Sequence, residues 1–243
     1  MLKNKIGYHW SKLAPFGSNV KISLKNGTKF IVRARTMDRS VVKEVWLKEI
    51  YNQHGISVQE GDTVLDIGGH IGVFNVYAAQ KSKTGKVYSF EPFSENFERL
   101  KMHAEINKLD NVSLINKGVS SITGKQTLNL SPDNNTGGHS LHLKTETDKK
   151  VEIDTITLSD FYADAGITKV DFLKLDCEGA EFDIVKGNLE KIKEIERIIL
   201  ECHPYGDNTV DQMIELLSSN GFDVKSEKDE KGEKVQMLYA KRK

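Results

Sequence analysis

Cysteine is nearly absent. Only Cys177 and Cys202 occur in 243 residues, too few for a disulfide framework and without the paired spacing of zinc ligands. There is no surplus of charge: 35 Lys and Arg balance 35 Asp and Glu, so the global charge demands neither nucleic acid nor an anionic membrane as partner. No apolar run reaches the length of a membrane-spanning helix. Met1–Trp10 lacks the apolar stretch of a secretory leader. The expectation is therefore a soluble, cytoplasmic protein with no membrane insertion. Neither internal repeats nor low-complexity segments are visible. What is present is a globular balance, 38% hydrophobic and 29% charged, and a length suited to one α/β domain with an elaboration. The neutrality is global only, because residues 1–43 carry a clear basic excess.

Residues 1–55 read as an N-terminal extension. Val20–Leu24 and Lys29–Arg33 alternate apolar and polar side chains around Asn26-Gly27, a hairpin signal. Val41–Tyr51 reads as a short amphipathic helix with Val42, Val45, Trp46 and Ile50 on one face. From residue 56 to 243 a main domain is expected, with strand and helix alternating. Strands are predicted at Thr63–Ile67, Lys86–Phe90, Val112–Ile115, 170–175 and 195–201. Helices are predicted at Gly72–Lys81, Ser94–Lys108 with Ser94 as N-cap, 157–165, 180–187 and 209–220. Such alternation gives a mostly parallel sheet with helices on both faces. An insertion at about 119–156 interrupts it, with strands Gln126–Leu130 and Val151–Ile156 flanking a turn-rich loop, Ser131–His139. Phe222–Ser226, a charged Lys-Asp-Glu-Lys-Gly turn and Val235–Ala240 suggest a closing antiparallel hairpin.

The first strand runs into Asp66-Ile67-Gly68-Gly69-His70-Ile71-Gly72. Glycines here let the backbone approach a ligand, and the following helix start offers free N–H groups. Glu91 lies at the tip of the second strand, where an acceptor for a ribose diol belongs. The middle glycine that makes room for a pyrophosphate is missing, since His70 stands there. Asp66 adds negative charge that would repel a pyrophosphate and suits a cofactor bearing an ammonium and a sulfonium. S-adenosylmethionine has both. A dinucleotide dehydrogenase is disfavoured by the same argument.

Four segments, Asp66–Gly72, Phe90-Glu91-Pro92, Lys174-Leu175-Asp176-Cys177-Glu178-Gly179-Ala180-Glu181 and Leu200-Glu201-Cys202-His203-Pro204, together with Val151–Thr155, resemble the FkbM family of class I methyltransferases over roughly residues 35–226. His70 departs from the family, which usually has Asn there. The resemblance implies a Rossmann-like α/β fold, a seven-stranded sheet in the order 3-2-1-4-5-7-6 with the last strand antiparallel, and O-methylation of a hydroxyl on a small molecule, sugar or glycan. It also implies that Asp66, Gly68 and Gly72 line the methionine end of the cofactor, with Gly69 and His70 as further cofactor contacts. Glu91 and Pro92 would meet its ribose, and Gly118, Val119 and Ser120 its adenine.

Ligands of open α/β sheets sit beyond the C-terminal strand ends. Asp176 and Glu178 end one strand, Glu201 and His203 the next, so these four groups can converge on the transferred methyl. A positioned base helps a neutral hydroxyl attack. His203 is the first candidate because imidazole ordinarily titrates near neutrality. Asp176 is second, and could instead hold the cofactor, and His139 on the inserted loop is third. Glu178, Glu201 and His203 are the expected acceptor contacts. Glu178 could equally serve only the dipole of a helix start, and His203 could simply cap a strand end. The same four residues could hold Mg²⁺ or Mn²⁺. No dedicated metal motif is present, and the metal-free base is preferred. A protein or nucleic-acid methyltransferase is the alternative enzyme. It is disfavoured by Asp176-Cys177-Glu178-Gly179 where adenine-modifying enzymes carry Asn/Asp-Pro-Pro-Tyr/Phe. A non-catalytic cofactor-binding accessory is the remaining alternative.

Overall fold

The computed structural model describes residues 2–3, 5–228 and 235–243. Its centre is a seven-stranded sheet made of β3 (Thr63–Ile67), β4 (Lys86–Phe90), β5 (Val112–Ile115), β9 (Phe172–Leu175), β10 (Arg197–Cys202), β11 (Phe222–Lys228) and β12 (Gln236–Arg242). The spatial order is β11-β12-β10-β9-β3-β4-β5. The strands from β5 to β10 pair in parallel, and β12 runs antiparallel to β10 and β11. Numbered within this sheet alone, that is the expected 3-2-1-4-5-7-6. The central strands are short apolar runs, as strands covered on both faces must be. Polar exceptions stand side by side in register: Ser89 opposite Asp66, and Asp66 opposite Lys174.

Helices α3 (Val73–Lys81), α4 (Ser94–Ile106), α5 (Leu158–Ala165), α6 (Glu181–Gly187), α7 (Leu189–Ile192) and α8 (Val210–Ser219) cover the sheet. Helix α3 is buried from Val73 to Ala79, so it is a central element without a polar face. The Thr157 hydroxyl caps α5, and Thr209 with Gln212 forms a reciprocal capping box on α8. Ser94 is not the cap of α4. That position belongs to Phe93, whose side chain makes no capping bond. The four-residue α7 was not foreseen.

The N-terminal segment holds α1 (Lys5–Trp10), the hairpin β1 (Asn19–Ser23) and β2 (Lys29–Arg33), and α2 (Asp38–Lys43), which widens into a π-helical turn at Glu44–Lys48. The hairpin forms around Asn26-Gly27 as expected. Leu24 and Thr28 close it, and only Gly27 takes a positive φ, of 94°, so the loop has three residues with glycine in the left-handed position. Val42, Val45 and Trp46 are buried and join one hydrophobic cluster with β1, β2 and α3. A second cluster joins α5, α6 and α8 to the sheet.

The insertion is a three-stranded sheet in which β8 (Lys150–Ile156) lies between β7 (Gly124–Asn129) and the two-residue β6 (Gly118–Val119). Of the predicted charged turn after Ser226, only Lys228 is within the described residues.

Candidate active site

The strand order reverses between β3 and β9, and the crevice there opens into a cavity of about 820 Å³. The glycine loop, 68–72, follows β3. Gly68 has φ +82° and a Cβ on it would lie 1.8 Å from the Asp176 carbonyl oxygen, so no side chain fits. Gly69 has Ser89 Oγ 2.5 Å and Leu100 Cδ1 2.7 Å from its missing Cβ. Both glycines and His70 line the cavity.

Glu91 lines it too. Its carboxylate accepts the backbone N–H groups of His70 at 2.8 Å and Phe93 at 2.9 Å. Burial pushes its pKa up to about 7, against the pull of those two N–H donors. Two oxygens with lone pairs left over face a cavity built beside a glycine loop, which suits a vicinal diol. Pro92, Gly118 and Val119 border the same space.

Three residues expected at the cofactor do not line the cavity. Asp66 is fully buried, accepts Ser89 Oγ at 2.6 Å and pairs with Lys174 at 3.4 Å. It holds up the loop from inside the sheet. Gly72 packs against Leu100, with Leu100 Cγ 3.1 Å from its missing Cβ. Ser120 turns its hydroxyl to Asp183 at 3.0 Å.

The loop Ser131–His139 is tied down across the glycine loop. Thr136 donates its hydroxyl to Asp38 Oδ1 at 2.7 Å, and its Oγ1 lies 3.1 Å from His70 Nε2. Asn96 Nδ2 donates to the Thr136 carbonyl at 2.8 Å, and Arg33 bonds both Asp38 and Asn96. Burial raises the Asp38 carboxyl, but the Arg33 guanidinium more than offsets it and holds the group at about 2. Burial pushes His70 down to about 4, so it is neutral. His139 lines the cavity, but its Nδ1 accepts from Ser131 N–H at 3.1 Å and its ring lies edge-on to Phe93 at 4.5 Å. That places it beside the Glu91 segment.

The opposite wall is acidic. Asp176, Glu178 and His203 bring one ligand atom each within 4.8 Å of one another. His203 Nδ1 lies 3.2 Å from Glu181 Oε1, and Nε2 lies 3.5 Å from Glu178 and 4.0 Å from Glu201. Glu181 is fully buried and also accepts the Cys177 and Gly179 N–H groups at 2.8 and 3.0 Å. This setting corrects the premise that His203 titrates near neutrality. Burial lowers its pKa, but Glu181, Glu178 and Asp176 outweigh that and lift it to about 10. Burial lifts Glu178 to about 7 and Glu201 to about 8. The resting imidazole is therefore a cation among carboxylates, two of which stand close to neutrality.

Two residues given no role from the sequence belong here. Lys174 lines the cavity with its ammonium 2.5 Å from the Gly68 carbonyl oxygen, 3.4 Å from Asp66 and 3.7 Å from Asp176. A lysine inside an apolar buried strand was the available signal. Tyr51 belongs to the hydrophobic core and also lines the cavity, where it donates to Asp176 Oδ2 at 3.4 Å. Burial raises its phenol well above the ordinary value, so it acts as a donor. Trp46 is a core residue as expected.

The profile of the methyltransferase FkbM domain matches residues 66–224. The 31-O-demethyl-FK506 methyltransferase FkbM of Streptomyces tacrolimicus is 24% identical over 216 residues, covering 77% of this chain and 82% of that protein. The hexuronic acid methyltransferase AglP of Haloferax volcanii is 25% identical, covering 67% of each. A SAM-dependent methyltransferase from Agrobacterium tumefaciens shares the fold with a TM-score of 0.54 at 14% identity, over 94% of this chain and 71% of that one. TYW2 of M. jannaschii, solved in complex with AdoMet, superposes with a TM-score of 0.51 at 18% identity, over 95% and 89% of the two chains.

Proposed function

Because the chain belongs to the methyltransferase FkbM domain family, we propose that this methyltransferase uses S-adenosylmethionine to methylate a hydroxyl oxygen of a small molecule or sugar. One observation carries the reading. A single cavity has the glycine loop and Glu91 on one wall and Asp176, Glu178, Glu201 and His203 on the other. The residues present fit the cofactor, because the Gly68–Gly69 backbone is bare where a Cβ could not stand and Glu91 has acceptor capacity to spare. Glu91 would take the ribose hydroxyls, the loop backbone the methionine end, and Gly118 and Val119 the adenine side. When bound, the cofactor supplies a methyl group on a sulfonium, open to in-line attack by oxygen. The names of the two relatives support an oxygen acceptor on a small molecule or sugar: one specifies the 31-O position of demethyl-FK506, and the other a hexuronic acid.

The chain's own work is to receive the acceptor's proton. A proton acceptor works best when its pKa lies near the working pH, and such help contributes about 10²–10⁴-fold. Glu201, at about 8 and lining the cavity, meets that condition, and Glu178 at about 7 is next. His203, held as a cation by Glu181, keeps this carboxylate cluster from charging up unopposed, so its role shifts from base to positioning residue. Asp176, fixed between Tyr51 and Lys174, orients the hydroxyl.

A second reading rests on the 4.8 Å cluster of Asp176, Glu178 and His203. A carboxylate on one histidine nitrogen, with the other nitrogen turned to hard ligands, is the usual support of a metal-bound imidazole. Mg²⁺ or Mn²⁺ there would lower the acceptor's own pKa. Labelled methyl transfer to a hydroxylated metabolite extract tests both readings. The metal-free reading expects activity to survive chelator, to fall at least about 10²-fold in Glu201→Gln and to fall less in His203→Gln, with cofactor affinity kept. Loss on chelation with return on Mg²⁺ or Mn²⁺ refutes it in favour of the cation. Absence of any methyl transfer, with cofactor bound, refutes both.

A further inference from the structure

The basic excess of the N-terminal segment has no place in the reaction. Residues 1–43 contain ten Lys and Arg and a single acid, Asp38, and that acid is buried against Arg33. On this same segment stand three large apolar side chains in the open: Trp10 at 54%, Leu13 at 76% and Phe16 at 50% exposed. They come from the end of α1 and the turns after it, where Leu13 and Ala14 bond back to the Trp10 carbonyl. Folding does not bury them, although the neighbouring Tyr8 and Ala14 are buried.

Basic side chains frame this patch. Lys12 lies between Trp10 and Leu13 in the chain and is exposed. Arg35, also exposed, is fastened alongside by its N–H to the Ser11 carbonyl at 2.8 Å. The Arg39 guanidinium sits 5.1 Å from the Tyr8 ring centre. Two residues beyond Arg35, Met37 is 41% exposed and lines the cavity. The segment that carries the patch thus continues to the cavity wall at Met37.

Tryptophan, leucine and phenylalanine projecting from a basic surface are the composition of an interfacial lipid anchor. Indole rings favour the headgroup level, and Lys and Arg are drawn to anionic headgroups. A nucleic acid would use the charges but would leave Leu13 without a partner. We propose that Trp10, Leu13 and Phe16, with Lys12 and Arg35, form a docking surface for an anionic membrane. This surface is independent of the methyl-transfer reading.

Sedimentation of the full chain with phosphatidylcholine vesicles, with and without phosphatidylglycerol, tests it. The expected result is binding to the anionic vesicles alone, weakened as salt shortens the screening length. Trp10→Ala/Phe16→Ala should lower the partition coefficient at least about tenfold, and Lys12→Glu/Arg35→Glu should abolish it. Both variants change exposed positions, so cofactor affinity and thermal unfolding should stay at wild-type values. No binding to anionic vesicles, or equal binding by the parent and both variants, overturns the proposal. Preferential capture of an RNA homopolymer reassigns the patch to nucleic acid and overturns it as well. So does a parent that is dimeric where Trp10→Ala/Phe16→Ala is monomeric, since a second copy then covers the patch.

Discussion

Glu91→Gln tests the cofactor assignment with little change of shape. In the native chain the carboxylate, 5% exposed, is raised by burial from 4.5 to about 7. A group at about 7 is ionised in roughly one molecule in eleven at pH 6 and ten in eleven at pH 8. If only the carboxylate accepts both ribose hydroxyls, affinity rises about tenfold over that interval, about 1.4 kcal/mol. The cofactor's own ammonium titrates nearby, so the ratio of wild-type to Glu91→Gln affinity is the quantity to follow by calorimetric titration. It should widen with pH, reaching a loss of ~1.5–3 kcal/mol for a bond to a charged acceptor. Stability runs the other way. A carboxyl raised on folding contributes stability that is complete below its unfolded value and is lost as pH climbs through about 7. At pH 8 the amide escapes that cost and leaves one buried N–H without its acceptor, a penalty of about 1–3 kcal/mol, so the unfolding free energy should hold or rise rather than fall. Unchanged affinity and an unchanged pH profile in a folded variant would refute the ribose role. A large loss of stability at pH 8 would mark Glu91 as a structural residue instead.

Gly69→Ala places a methyl 2.5 Å from Ser89 Oγ and 2.7 Å from Leu100 Cδ1, and both neighbours are fully buried. Urea unfolding should show a loss of about 1–3 kcal/mol from overpacking, and parent-like stability would mean the loop can shift freely. Asp38→Ala removes the buried carboxylate partner of Arg33, which keeps Asn96 at 2.8 Å and the exposed Glu95 at 3.6 Å, and removes the acceptor of Thr136. The expected cost is about 3–5 kcal/mol, with hydrogen exchange accelerated most at residues 131–140, and uniform acceleration would deny that Asp38 is what fastens this loop.

The fold was legible because its signals are local and agree with one another. Thr63–Ile67 and Lys86–Phe90 were placed to the residue, since short apolar runs before glycine or proline have few other readings. Errors fell where tertiary contacts decide. The helix read over Val41–Tyr51 instead starts at Asp38 and passes into a π-helical turn at Glu44–Lys48. Ser94 lost its cap to Phe93. The strand Gly118–Val119 exists only because β8 offers it an edge, and nothing in two residues announces that.

Within the site, the sequence could place side chains but could not tell which way the electrostatics would fall. The reading that made His203 a base used the ordinary titration of imidazole. Three carboxylates of one chain segment decide the matter instead. Glu181 reaches Nδ1 from the start of α6, Glu178 reaches Nε2 from a residue at φ 51°, and Asp176 adds its charge from just past the end of β9. Each lies in a motif already recognised, yet the charge on His203 is a property of their distances. The same holds for Asp66, whose negative charge argued for an ammonium-bearing cofactor. Its true neighbour is Lys174, its partner in the next strand. The inference from Asp66 thus reached a cofactor that the family supports through a contact the structure does not contain. The cavity wall itself carries Asp176, one strand over, tied to the same lysine at 3.7 Å. Lys174 therefore couples the support of the glycine loop to a carboxylate on the cavity wall.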